Sequence, residues 1–261
     1  MADPAYLAEM FGLEGKRAAV IGGGGVLAGA MSSALARAGA RVAVLDLNLD
    51  AARAKADEIQ AAGGRALAVQ VDVCSRAQIE AASKALDQAW GGMDILINAP
   101  GLNSATPFFD ITEAEWDKLI AVDLKGVFLA CQVFGRGMVA RRSGSIINIS
   151  SASSGPPLSK VFTYGVAKGG VNQVTQFLAR EWAEAGVRVN ALVPGFFPAE
   201  QNRKLLTPER TAQIMGHTPM KRYGEPRELL GAVLWLASDR ASSFVTGALV
   251  RVDGGFGAMT I

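Results

Sequence analysis

Histidine occurs once in the 261 residues, at His217, and cysteine twice, at Cys74 and Cys131. One imidazole and two distant thiols exclude a multi-histidine metal centre, a zinc knuckle and a disulfide framework, so no metal is expected. Charge of one sign is also missing. The 26 basic and 24 acidic side chains leave a net +2 with no like-charge block, which argues against a nucleic-acid or anionic-membrane partner. No uninterrupted apolar run reaches the roughly 20 residues that cross a bilayer. Asp3 and Glu9 stand where a signal peptide would carry bases, so a cytoplasmic location is expected. Repeats and low-complexity linkers are absent too. With 50% apolar and 19% charged residues, the chain is expected to form one α/β domain over 1–261.

What is present is an alternation. The runs RAAVI, RVAVLDL, ALAVQVDV, DILINA, SIINIS and VRVNALV are separated by amphipathic stretches, which is the βαβ pattern. RVAVLDL is continuously apolar up to Asp46, as a parallel strand covered on both faces should be; the sheet is expected to be parallel and doubly wound. After the first run, Leu27, Met31, Ala34, Leu35 and Ala38 recur at helical spacing, with Gly39 at the helix end. Thr112 and Glu115 form a capping-box pattern ahead of a helical stretch to about Arg141, expected to break near Val122 to Gly126. A second long helix is predicted from Thr163 to Ala185, burying Val171, Val174, Phe177, Leu178 and Trp182. The polar, Pro-interrupted segment 196–220 reads as an active-site flap.

The turn IGGGGVLAGA follows the first strand and opens the first of these helices. Gly23, Gly25 and Ala28 fit GxGxxG/A, a turn whose backbone N–H groups can hold a pyrophosphate because side chains do not obstruct it. A P-loop is excluded, because Ala30 and Met31 stand where Lys and Ser/Thr are required. Asp46 closes the second strand 18 residues after Ala28, where a carboxylate meets the adenosine ribose and repels a 2′-phosphate. No Arg or Lys lies in the turn or just after Asp46, so NAD is expected in preference to NADP. Asp72, at the end of the third strand, suits either an adenine contact or a helix cap. A methyltransferase binding S-adenosylmethionine also uses such a turn and acid, but gives no reason for the next motif.

In YGVAK, Tyr164 and Lys168 are i and i+4 on one helix face. A cation there is expected to lower the phenol from its usual value of about 10 toward general acid–base work. GSIINISS upstream ends a strand in Ser150 and Ser151, the latter 13 residues before Tyr164.

A strand-end serine followed by YxxxK resembles the short-chain dehydrogenase/reductase family. The likeness runs through the glycine turn, Asp46, Asp72, DILINAPG, VDLKG, INISS, YGVAK, VRVNALVPG and VTGALVRVDGG. It implies a Rossmann fold with a seven-stranded parallel sheet and hydride transfer between nicotinamide C4 and a secondary alcohol or ketone. It further implies that Ser151 holds the substrate oxygen, that Tyr164 exchanges its proton, and that Lys168 binds the nicotinamide ribose while polarising the tyrosine. Gly22, Gly25, Val26, Leu27, Asp46, Leu47, Asp72, Val73, Asn98, Pro194, Gly195 and Phe197 match cofactor positions. A homotetramer is implied, with the two long helices and the C-terminal strand at interfaces. Departures from the family pattern are Ile21, Val26 and Ala28 in the turn, Pro100 in INAPG, Ala199, and Asp123 in VDLKG. Asp123 stands where the family has an asparagine holding a relay water, and its charge is expected to act on Lys168 and Tyr164.

Through PGFFPAEQNRKLL and HTPMKRYGEP the likeness is to bacterial members acting on sugar acids and polyols. Asn103, Ser104, Ser153, Glu200, Gln201, Asn202, Arg203 and His217 are then candidate substrate contacts. Leu102, Phe108, Phe196, Phe197 and Leu205 equally suit a hydrophobic ketone or 3-oxoacyl substrate. A non-enzymatic NAD sensor of the same fold is the third reading.

Overall fold

The computed structural model of the chain describes residues 3–198 and 206–259. Short helix α1 (Pro4–Phe11) precedes β1 (Arg17–Ile21), α2 (Val26–Arg37), β2 (Arg41–Asp46), α3 (Leu49–Ala61) and β3 (Arg65–Gln70). Next come α4 (Arg76–Trp90), β4 (Ile95–Asn98), α5 (Glu113–Ile120), α6 (Gly126–Arg141), β5 (Gly144–Ile149) and α7 (Phe162–Trp182). The chain continues through β6 (Val187–Pro194), α8 (Pro208–His217), α9 (Leu230–Ala237), α10 (Asp239–Ser242) and β7 (Leu249–Val252).

The seven strands form one sheet in the order β3-β2-β1-β4-β5-β6-β7, every neighbouring pair parallel. Alternate strand residues feed two cores. Ala18, Val20, Val42, Val44, Ile95 and Ile97 pack with α2, α3 and α9 on one face. Ala19, Ile21, Ala43, Leu45 and Leu96 pack with α4, α6 and α7 on the other. Burial on both faces is the physical reason these strands lack a polar alternation. Strand order reverses between β1 and β4, so the crevice at their C-terminal ends is where a ligand of a doubly wound sheet belongs. At the opposite end, Arg17 ties β1 to β4. Its backbone N–H and Nε donate to Asp94 Oδ2 at 2.9 and 2.8 Å, and Nη2 donates to Oδ1 at 2.7 Å. With the pair only 21% and 14% exposed, Asp94→Ala strands a mostly buried guanidinium. A loss of about 3 kcal/mol is expected, read as a lower urea midpoint with an unchanged slope.

Three local expectations are corrected. The long helix ends at Trp182 and tightens into a 3-10 turn over Ala183–Ala185. Its buried stripe is Thr163, Ala167, Lys168, Val171, Thr175 and Ala179, while Phe177 is 64% exposed. Of the expected stripe, Val171 is buried and Leu178 and Trp182 pack partly buried against the core; Phe177 alone turns outward, because small residues let the helix lie close on the sheet. The capping box at Thr112 is half made: Thr112 Oγ1 accepts from Glu115 N–H at 3.1 Å, but the Glu115 carboxylate accepts from Thr106 Oγ1 at 2.9 Å. The break expected near Val122 is a π-helical segment, Ala121–Lys125, which joins α5 to α6 and carries Asp123 at its centre.

Candidate active site

The glycine turn is a packed structure. Gly22 has φ +74°, and a Cβ there would stand 2.7 Å from the Ala99 carbonyl oxygen at the end of β4. A Cβ on Gly23 would meet Val44, and one on Gly24 would meet Ala51 and Asp46. Gly25, the N-cap of α2, faces outward, caps the helix with no side chain, and is followed by no acid in the first turn. The N–H groups of Val26, Leu27 and Ala28 therefore have no intrahelical partner and suit an anion. Val26 leaves the cradle open by pointing to solvent, 58% exposed, and Ala28 is buried against the core. Asp46 does more than wait for a ribose: Oδ2 accepts from Gly24 N–H at 3.0 Å and Oδ1 from Asn48 N–H at 2.9 Å. Asn48, as expected, caps α3 by accepting from the N–H groups of Asp50 and Ala51. Leu47 is exposed beside Asp46. Asp72 Oδ1 accepts from Cys74 N–H, and Val73 packs under Gly126. These residues fit a dinucleotide laid across the switch point.

Asn98 is buried, and its side chain points inward rather than to the crevice. Nδ2 donates to Asn148 Oδ1 at 2.9 Å and to Cys131 Sγ at 3.3 Å, and Asn148 Nδ2 donates to Thr175 Oγ1 at 2.9 Å. This chain pins β4 to β5, α6 and α7, so any support Asn98 gives a cofactor is indirect. Burial pushes the Cys131 thiol up to about 12, which leaves it inert.

Ser150 and Ser151 diverge at the end of β5. Ser150 is buried, and its Oγ donates to the Lys168 carbonyl at 3.3 Å. Ser151 lines the large cavity with Tyr164, and the interaction of its hydroxyl with the phenol pulls the Tyr164 pKa down. Lys168 is buried, with Nζ donating to the carbonyls of Ile149 at 3.1 Å and Pro100 at 3.3 Å. Pro100 thus lacks an N–H but supplies an acceptor. The i, i+4 spacing does stack the pair, Nζ lying 5.6 Å from the Tyr164 ring centroid, yet the expected lowering of the phenol is overturned. Burial pushes Tyr164 up, the Ser151 hydrogen bond opposes this, and the Asp123 charge adds to the rise. The rise comes from burial and the Asp123 charge, while the Lys168 ammonium donates to two backbone carbonyls.

Asp123 is fully buried. Its Oδ1 accepts from Leu102 N–H at 2.7 Å, and its Oδ2 has no partner. Burial raises its carboxyl to about 6, against the lowering pull of Lys168 and of the Leu102 N–H. Burial likewise pushes Lys168 down, and Asp123 pulls it back up. The two groups hold each other charged across a small gap at Gly101, where a Cβ would stand 3.7 Å from Nζ and 3.8 Å from Oδ1.

The cavity above Ser151 and Tyr164 has a volume of about 690 Å³. Asn103, Ser104 and Ser153 line it, as do Gly195, Phe196 and Phe197; Pro194 is buried at the end of β6 beneath them. His217 does not line it: its ring packs edge-on to Phe256 at 4.9 Å. Phe108 faces Phe162 at 4.9 Å and, like Leu102, stays outside the lining. Ala199, Glu200, Gln201, Asn202, Arg203 and Leu205 lie outside the described residues. Sequence reasoning missed Lys160, Thr207, Arg210, Gln213 and Tyr223, which also line the cavity. Lys160 sits in a Gly-Pro-Pro loop, where no spacing rule applies.

A family model described as enoyl-(acyl carrier protein) reductase matches residues 25–257. The chain is 42% identical to an uncharacterized oxidoreductase, UxuB, of Bacillus subtilis, covering 94% of this chain and 95% of that one. It is 38% identical to galactitol 2-dehydrogenase (L-tagatose-forming) of Cereibacter sphaeroides, over 95% and 97%. Two solved structures superpose with TM-scores of 0.93. One is a putative D-mannonate oxidoreductase from Haemophilus influenza with bound NAD, 36% identical, over 97% of this chain and 99% of the other. The other is a gluconate 5-dehydrogenase from Burkholderia cenocepacia in complex with NADP and tartrate, 34% identical, over 97% and 100%. Sheet order, the glycine turn and a tyrosine and lysine stacked beside a strand-end serine agree with these likenesses over nearly the whole length: the chain belongs to the short-chain dehydrogenase/reductase family of oxidoreductases.

Proposed function

We propose that the protein is an NAD-dependent dehydrogenase of a polyol, sugar or sugar acid, working at a secondary alcohol or its ketone. The observation that carries this reading is the cavity with Ser151 and Tyr164 at its base, lined by Asn103, Ser104, Ser153 and Ser159 as well as by apolar residues. A polyhydroxylated substrate needs such convergent polar groups, whereas an acyl chain leaves them unpaired. Bound in the crevice, the nicotinamide supplies a hydride acceptor or donor at C4. In oxidation, Ser151 holds the substrate oxygen and Tyr164, as phenolate, removes the hydroxyl proton; in reduction, the phenol returns it. Lys168 holds positive charge beneath this exchange and, with the family, binds the nicotinamide ribose. Asp123 keeps that lysine charged. The test is cofactor-coupled turnover on aldonates, polyols and simple secondary alcohols, with the ketones run in reverse. Faster turnover of the polyhydroxylated compounds supports the reading, and turnover confined to hydrophobic ketones or 3-oxoacyl thioesters replaces it.

Asp46 supports the cofactor preference. With Leu47 and Asn48 following it, no cation in that stretch offsets its charge toward a 2′-phosphate. The expected kcat/KM favours NAD over NADP by about tenfold or more, the worth of one charged contact, and Asp46→Ser narrows the ratio; a wild-type preference for NADP contradicts this.

A homotetramer is the expected assembly. Phe128 on α6 and Phe162, Val166 and Phe177 on α7 are exposed, and a second copy covering those helices would bury them. Light scattering at assay concentration is expected to give four chains, and a monomer refutes it. Among the described residues no helix is long and apolar enough to cross a membrane.

A further inference from the structure

The large cavity carries a charge pattern that oxidation of a neutral polyol does not use. Lys160, on the loop after β5, and Arg210, in the first turn of α8, both line it. Neither is paired with a carboxylate among the described residues. The closest partners of Arg210 are neutral, Ser159 Oγ and Gln213 Oε1, each 3.4 Å from Nη1. One acid, Glu209, shares the lining beside Arg210 on α8 and makes no ion pair with either cation.

Both cations sit where local energetics disfavour them. Arg210 lies at a helix N-terminus, where the helix dipole is already positive and an acid is the stabilising choice. Lys160 has φ +65°, a left-handed conformation that costs a non-glycine residue energy and persists where its surroundings or its function hold it. Two unpaired cations, from separate elements, thus share one cavity with the reacting hydroxyls.

We propose that Lys160 and Arg210 form a carboxylate-binding pair, so that the substrate is a hydroxy acid or keto acid held by its carboxylate while its carbinol or carbonyl carbon lies at Tyr164. This deepens the proposed function and rests on it. The pair selects an acid over a neutral polyol of equal length, because a charge-assisted hydrogen bond is made to the acid alone. Leaving the substrate bound by one end also fixes which carbon reaches the tyrosine.

The probes are D-gluconate and its neutral six-carbon counterpart sorbitol, with sorbitol 6-phosphate as a third arm. Wild-type kcat/KM is expected to favour gluconate. Lys160→Gln and Arg210→Gln are each expected to lower it by about ten- to a hundredfold more for gluconate than for sorbitol, mainly through KM. Lys160→Arg is expected to restore most of the loss. Equal losses on both probes, or no loss on gluconate, overturn the pair; a stronger dependence for the phosphate ester overturns the carboxylate assignment. Calorimetric binding of gluconate and sorbitol to the NADH-loaded protein supplies a readout without turnover. If gluconate binds through the two cations but nothing is oxidised or reduced, the pair stands and the dehydrogenase reading falls. If polyols turn over with no cation dependence for gluconate, the dehydrogenase stands and the pair falls.

Discussion

Tyr164→Phe is expected to lower kcat by about 10²- to 10⁴-fold, the range a positioned general acid–base group contributes. The ring remains, so the packing of α7 against the sheet is kept, and the phenol's partner Ser151 retains its bond from Ser153 N–H at 3.1 Å. Thermal stability and NADH binding are therefore expected to stay near wild type while turnover collapses. A variant that keeps more than a few per cent of wild-type kcat, measured at the pH optimum in both directions, contradicts the role given to Tyr164. The same comparison with Ser151→Ala is expected to show a smaller loss, because the serine orients the oxygen without carrying the proton away.

Asp123→Asn is expected to shift the pH dependence of oxidation toward acid. The groups facing Tyr164 are the Ser151 hydroxyl, the Lys168 ammonium and the Asp123 carboxylate. Ionised Asp123 raises the phenol, so above about 6, where that carboxyl titrates, it holds the proton on Tyr164. Oxidation needs the phenolate, and its alkaline onset is delayed for that reason. The carboxamide keeps an acceptor for Leu102 N–H and removes the charge. Oxidation at neutral pH should then rise several-fold, up to about tenfold, the factor that one unit of pKa carries, while reduction, which uses the phenol, loses ground on its alkaline side. The same change acts through Lys168 in the opposite sense: without Asp123, burial pushes the ammonium further down, and where Lys168 loses its proton the phenolate loses a neighbouring positive charge, which trims the gain in oxidation at alkaline pH. An onset that stays in place, or moves alkaline, shows that Asp123 does not act on the tyrosine.

Much of this architecture is legible in the sequence because it is set by short-range rules. Strands buried on two faces, such as RVAVLD, have no polar alternation to misread, and Gly39 takes the positive φ expected at the end of α2, +104°. The irregularity expected near Val122 is there, but as the π-helical segment Ala121–Lys125 and not as a break in the helix. What was not legible depends on which distant groups meet. The Glu115 carboxylate accepts from Thr106 rather than completing the box with Thr112. Phe177 is at the right spacing for burial, but the small residues Ala167, Thr175 and Ala179 face the sheet and decide how α7 rolls. Nothing local says that Lys168 donates to the carbonyls of Pro100 and Ile149, or that burial and the Asp123 charge set the direction in which Tyr164 moves. Lys160 and Arg210, 50 residues apart, share a cavity only once β5, β6 and the segment after them are in place.

A site that moves hydride and one that only senses the cofactor differ in what happens to the nicotinamide. The deciding measurement is the redox state of the nicotinamide when the purified protein is mixed with NAD and, in turn, a panel of aldonates and polyols, and with NADH and the matching ketones. Reduced nicotinamide is expected to form with at least one hydroxylated compound, to be consumed with the corresponding ketone, and to do neither in Tyr164→Phe. Tight NAD binding with no change of redox state across the whole panel, in either direction, would contradict that expectation.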